Sequence, residues 1–270
     1  MTFRASRFFA FACVFLAACS TSPLGRSQLI LVGDGQMNQM GLQSFDQLKH
    51  DTPVETNPAI NAYVQCIAGP IAKIGGARAG VEKWEIVVFK SNEVNAFALP
   101  GGKIGVYTGI LPVTKTAAQL AAVLGHEVGH VIAKHGAERV SEGLVAQGLT
   151  TAAGIGFKDK AYQPLILAGL GVGAQYGILL PHSRTQESEA DLIGVDLMAE
   201  AGFDPRQSVE LWKNMSAASG GKAPPEWMST HPANDTRIAG LQGAIPAALP
   251  KYEAALKAGR APNCPRPAGI

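Results

Sequence analysis

The run TAAQLAAVLGHEVGHVIAKHGAERV, residues 116–140, is Ala-rich and free of proline. Thr116 opens it as a residue that caps helices by accepting a backbone N–H, so the pattern predicts one helix from Thr116 to Val140. Inside it, His126-Glu127-Val128-Gly129-His130 sets two histidines four residues apart. Residues i and i+4 share one helical face about one turn apart, so both imidazoles can converge on one metal ion. Glu127 lies beside that point and can take a proton from water there.

A catalytic zinc site takes three protein ligands and keeps a further position open. A second helix is predicted from about Arg184 to Ala201, stopped by Gly202, and its first turns read Arg184-Thr185-Gln186-Glu187-Ser188-Glu189-Ala190-Asp191. Glu187 and Asp191 are again i and i+4, while Glu189 is expected to point elsewhere. Glu187 can complete a His/His/Glu set, and Asp191 can hold a ligand imidazole from behind. His135 and His182 lack ligand spacing to a partner and read as structural; His50 has no case. His231, in Ser229-Thr230-His231-Pro232, sits in a turn and on its own reads as an ordinary surface histidine.

Taken together, HExxH on one helix, ExEAD on the next and Thr230-His231-Pro232 later resemble the gluzincin metallopeptidases of the HtpX/Ste24 type, nearest their periplasmic and lipoprotein members. The resemblance covers about Asn57 to Leu241. It implies an α+β, mostly helical zincin-like metallopeptidase domain with a small β-sheet whose edge strand borders the active-site cleft. It implies one Zn2+ held by His126, His130 and Glu187, with Glu127 as general base. Asp191 and Arg237 then support the ligands from behind, and His231 can approach the zinc or the transition state. Arg237 is an alternative candidate for steadying the oxyanion. Asn95, Ala96, Phe97 and Ala98, leading into Leu99-Pro100-Gly101-Gly102, match the strand that would pair with an extended substrate.

The N-terminus reads as an address. Arg4 and Arg7 precede an uncharged stretch from Phe8 to Ala18, too short for a bilayer span of about 20 residues but suited to a secretory signal. Leu16-Ala17-Ala18-Cys19 resembles the lipobox of bacterial lipoproteins, which implies removal of residues 1–18 and lipidation of Cys19; an ordinary secretory signal is the alternative. Ser20 after the cysteine points to the outer membrane of a Gram-negative cell, facing the periplasm. Without Arg4 and Arg7 the 23 basic residues become 21, against 21 acidic ones. That neutrality gives no electrostatic case for nucleic acid. Of the four cysteines, Cys66 and Cys264 then remain, either as one disulfide in an oxidising compartment or as two free thiols.

The expected organisation is a lipidated tether with a short helix around Met37–Lys49 over residues 19–55, a metallopeptidase domain over 56–255 and a Pro-rich tail over 256–270. Asn57-Pro58 opens a helix that Pro70 kinks and Gly75-Gly76 ends. Strands are predicted over Trp84–Phe89, Val94–Leu99 and Lys103–Tyr107. The uncharged runs Gly143–Phe157 and Ala161–Pro181 read as a buried or lid-like hairpin, with a membrane hairpin as the alternative. A single crossing is excluded because it would separate His130 from Glu187 across the bilayer. Expected substrates are unfolded or misassembled envelope proteins, with the outer-membrane assembly machinery as a possible partner. The competing functions are an assembly factor with restrained proteolysis and, with less support, a peptidoglycan-directed peptidase.

Overall fold

The computed structural model describes residues 19–146, 183–219, 226–231 and 235–270. Strands β1 (Cys19–Thr21) and β2 (Ser27–Leu29) pair antiparallel as a hairpin, where the sequence suggests a tether. Two of its polar residues are buried, Ser22 and Gln28, and Gln28 donates to the Ala133 carbonyl. Helix α1 (Asp34–Asp51) follows, longer than the expected 37–49.

Helix α2 (Pro58–Ala79) starts as the sequence requires, with the Asn57 side chain accepting from the Ala59 and Ile60 N–H groups. It runs through Gly75-Gly76 and ends only at Gly80, which is left-handed at φ 66°. Those two glycines serve close packing instead. A Cβ on Gly75 would meet the Val128 side chain at 2.3 Å, and one on Gly76 the Val81 carbonyl at 2.6 Å.

Strands β3 (Glu85–Phe89), β4 (Ala96–Leu99) and β5 (Lys103–Tyr107) form a sheet ordered β3-β5-β4. β3 runs parallel to β5 and β4 antiparallel to it, with Phe97 opposite Gly105. β4 is thus an edge strand. Its alternation splits the core: Ala96 and Ala98 face the main cluster, while Phe97 and Leu99 join Phe45, Phe89 and Tyr107 beneath α1.

The single helix expected over 116–140 is two: α3 (Ala117–Ile132) and α4 (His135–Ala146). Lys134 adopts φ 55°, a left-handed conformation that interrupts the helix between them. Thr116 caps α3 as predicted, accepting from the Gln119 N–H. Helix α5 (Arg184–Glu200) begins with a reciprocal capping box of Ser183 and Gln186. It is followed by α6 (Gln207–Ser219), the short α7 (Glu226–Thr230) and α8 (Asp235–Lys257).

Helices α3 and α5 pack directly on each other, and small residues set their separation. A Cβ on Gly125 would lie 2.7 Å from the Gly194 carbonyl oxygen, one on Gly194 2.7 Å from the His126 nitrogen, and one on Gly129 2.9 Å from the Ala190 carbonyl oxygen. Backbone meets backbone at this crossing, which brings the histidines of α3 against the acids of α5.

Beyond α8 the tail is tied down twice. Cys66 and Cys264 are joined as a disulfide with Cα atoms 5.6 Å apart. Arg266 donates to the carbonyls of Leu111 and Thr114, each at 2.6 Å. The stretch 147–182, which holds His182 and nearly all of the proposed hairpin, lies outside the described residues, as do the signal segment 1–18 and Pro232. Among the described residues no helix is long and apolar enough to cross a membrane.

Candidate metal centre

His126, His130, Glu187 and His231 each offer one donor atom, and these atoms lie within 4.8 Å of one another. All four residues are buried. His126 Nε2 is 2.9 Å from His130 Nε2 and 3.4 Å from Glu187 Oε2; His130 Nε2 is 3.4 Å from Glu187 Oε1. The constellation expected from sequence is therefore assembled at one point by the α3–α5 crossing. His231 joins it from the end of α7, its Nδ1 3.0 Å from Glu187 Oε1 and 3.1 Å from His126 Nε2. The buried His231 departs from what its isolated tetrapeptide suggests.

The residues behind the donors fix which ring nitrogen carries hydrogen. Asp191 lies 2.9 Å from His126 Nδ1 and accepts its hydrogen, leaving the Nε2 lone pair forward. Glu189 lies 3.2 Å from His135 Nε2, so His135 donates there and its Nδ1 accepts from His130 Nδ1 at 2.8 Å. His130 then also presents an Nε2 lone pair. Two lone pairs facing each other across 2.9 Å are favourable only with a shared cation, whether a proton or a metal ion. Glu187 Oε2 reinforces this. It is buried and accepts no aligned hydrogen bond, although Arg237 Nη1 stands 2.7 Å away as an ion partner. A His/His/carboxylate set with these supports suits zinc.

The electrostatics follow the same arrangement. Burial opposes charge on His126, but Asp191 and Glu187 outweigh it and push its pKa up to about 9. His130 moves the other way, well below the ordinary imidazole value, because burial dominates there. Burial would raise the Glu187 carboxyl, yet the facing histidines hold it well below the usual carboxylate range.

Arg237 is buried and grips Asp191 with two nitrogens at 2.7 Å while reaching Glu187. Its contacts to Asp191 and Glu187 suit support of the ligands from behind. Glu127 lines a cleft, together with His130, His231, Arg139 and the edge residues Asn95, Ala96, Phe97 and Ala98. Asn95 stands just outside β4, receiving the Tyr107 N–H on its carbonyl.

Several functional contacts were invisible to sequence spacing. Trp227 Nε1 donates to Glu127 Oε1 at 2.7 Å, and its ring stacks on His231 with 5.2 Å between centroids. His135 supports a donor, and Glu189 points away from the donor cluster only to hold His135. The signals were present but mute: His135 is five residues from His130, a spacing that becomes meaningful only once Lys134 breaks the helix.

Comparison with known proteins agrees with the site. The profile of peptidase family M48 matches residues 56–245. The chain is 40% identical over 175 residues to the mitochondrial metalloendopeptidase OMA1 of Schizosaccharomyces pombe, covering 63% of this chain and 49% of that one. It is 32% identical over 275 residues to the bovine metalloendopeptidase OMA1, covering 94% and 50%. With the beta-barrel assembly-enhancing protease of Escherichia coli it shares 26% identity over 232 residues, covering 83% and 47%. The chain spans about half the length of these relatives.

Proposed function

Since the chain belongs to peptidase family M48, we propose that it is a zinc-dependent endopeptidase of a bacterial cell envelope that cleaves unfolded or misassembled proteins. The observation that carries this reading is the convergence of His126, His130 and Glu187 on one point, next to a cleft that His130 and Glu127 line and a strand edge borders. The chemistry that zinc supplies when bound is Lewis acidity, which lowers the pKa of water toward about 7 and polarises the scissile carbonyl.

The chain's own residues do the rest. Glu127 takes the proton of the attacking water and hands it to the departing amine. Trp227 fixes one oxygen of that carboxylate and so its orientation. The edge of β4 accepts an extended segment as an added strand, which favours unfolded chains over folded ones.

The envelope assignment is supported by Arg4, Arg7, the apolar run Phe8–Ala18 and the lipobox-like Cys19, whose lipid would tether the protein to the outer membrane. Similarity to a beta-barrel assembly-enhancing protease favours a role alongside the outer-membrane assembly machinery. A second reading, an assembly factor with restrained proteolysis, is favoured by His231, whose ring stands against the donors His126 and Glu187.

Glu127→Gln tests the catalytic role. The variant is expected to keep one zinc and lose cleavage of an unfolded substrate; undiminished turnover would refute the assignment. If that variant still restores outer-membrane assembly in a deletion strain, the second reading gains. Cys19→Ala is expected to release the protein from the membrane fraction.

A further inference from the structure

The N-terminal hairpin is connected to the metal ligands through a continuous line of polar contacts. Arg26, in the turn between β1 and β2, donates from Nε to Glu189 Oε2 at 3.1 Å and from Nη2 to Glu138 Oε2 at 2.7 Å. Glu189 Oε2 faces His135 Nε2 at 3.2 Å, and His135 Nδ1 faces His130 Nδ1 at 2.8 Å. His135 and Glu189 are both buried, so water does not compete for these contacts. Gln186, on the same helix as Glu187, donates to Glu138 at 2.7 Å and closes the cluster.

Each link has one consistent direction. Arg26 supplies charge and hydrogen to Glu189, Glu189 accepts from His135 Nε2–H, and His135 Nδ1 accepts from His130 Nδ1–H. The last step leaves the His130 lone pair on Nε2, where the other donors converge. We infer that Arg26 is a positioning residue of the zinc site, acting through Glu189 and His135 on His130, so that the amino-terminal hairpin is a structural part of the metal centre. This rests on the zinc-site reading above. The consequence is that undocking the hairpin, the segment just after Cys19, loosens the hold on zinc without any contact to the ion itself.

The test is zinc affinity of the purified full chain, measured by competition with a chromophoric chelator. Arg26→Met and His135→Phe are each expected to weaken binding roughly tenfold or more, the usual effect of removing support behind a metal ligand. The double variant is expected to bind no more weakly than His135→Phe alone, because the line is already cut. If Arg26→Met lowers thermal stability but keeps wild-type affinity, or if the two losses add in full, the inference is overturned. Should His135→Phe fail to fold, Glu189→Gln takes its place in the cycle with the same two outcomes. Failure of the wild-type chain to take up zinc would instead overturn the metal-centre reading itself.

Discussion

Trp227 donates its indole N–H to Glu127 across 2.7 Å, tying the short helix α7 to the carboxylate that the chemistry needs. Both side chains are buried, and the backbone N–H of Trp227 also reaches the Val94 carbonyl beside the edge strand. One residue thus holds base, strand edge and, through ring stacking, His231 in register.

Replacing it tests that arrangement. Trp227→Phe keeps an aromatic ring against His231 but removes the donor, leaving a buried carboxylate oxygen short of one hydrogen bond. A hydrogen bond to a charged group contributes about 1.5–3 kcal/mol, so a loss of stability of that order is expected in urea unfolding. Cleavage should fall roughly tenfold as the carboxylate loses its fixed orientation. Zinc stoichiometry should stay at the wild-type value, since Trp227 touches none of the four donors through its indole nitrogen.

Gly194→Ala addresses the helix crossing that builds the site. The added Cβ would stand 2.7 Å from the His126 backbone nitrogen, and backbone cannot yield as a flexible side chain does. Overpacking of this kind costs about 1–3 kcal/mol. It should also weaken zinc binding by separating α3 from α5. Gly33→Ala, where nothing lies within 4 Å, is the control and should leave chelator competition unchanged.

These two predictions mark where sequence stops being informative. His126, His130, Glu187 and Asp191 were legible because i,i+4 spacing is a local rule that a helix obeys wherever it packs. Thr116 and Asn57 were legible as caps for the same reason. The break at Lys134 was not, because the run has no proline and the left-handed residue is a lysine, so nothing local marks it. That break turns His135 away from α3's own face and toward His130. Gly75-Gly76 misled in the opposite sense: glycine ends helices by backbone freedom, but here it admits Val128 and the Val81 carbonyl. Arg26 lies 112 residues from Glu138 and 163 from Glu189, so their cluster exists only after packing.

Reduction should release the tail. Cys66 and Cys264 close a loop with a sequence separation of 198. The chain-entropy argument gives about 5 kcal/mol for so long a loop, and measured disulfides more often give about 2–4. Urea midpoints with and without reductant should differ accordingly, and Cys66→Ser should abolish the difference. Arg266, held by two carbonyls, is expected to keep part of the tail docked after reduction.

The hairpin cluster predicts an acid-labile fold. Burial alone would raise the Glu189 carboxyl, but His135, Ser22 and Arg26 overcome it and hold the pKa at about 2, below its ordinary 4.5. Glu138 is likewise lowered, against its burial, by Arg26 and by the amides of Gln186 and Gln28. A carboxyl depressed by folding stabilises fully above its unfolded pKa and loses that contribution as pH falls through the folded one. For Glu189 the window is therefore from about 4.5 down to about 2. His135, which burial holds below its ordinary 6.5, adds a loss of the same sign starting nearer neutrality, because the folded protein resists the charge that acid imposes. Unfolding free energy measured against pH should accordingly decline below about 6 and steepen below 4.5. In Arg26→Met the neutral-pH stability should be lower and the acid decline shallower, since Glu189 then titrates closer to its unfolded value. A variant curve parallel to wild type would show that Arg26 does not set the charge state of this cluster.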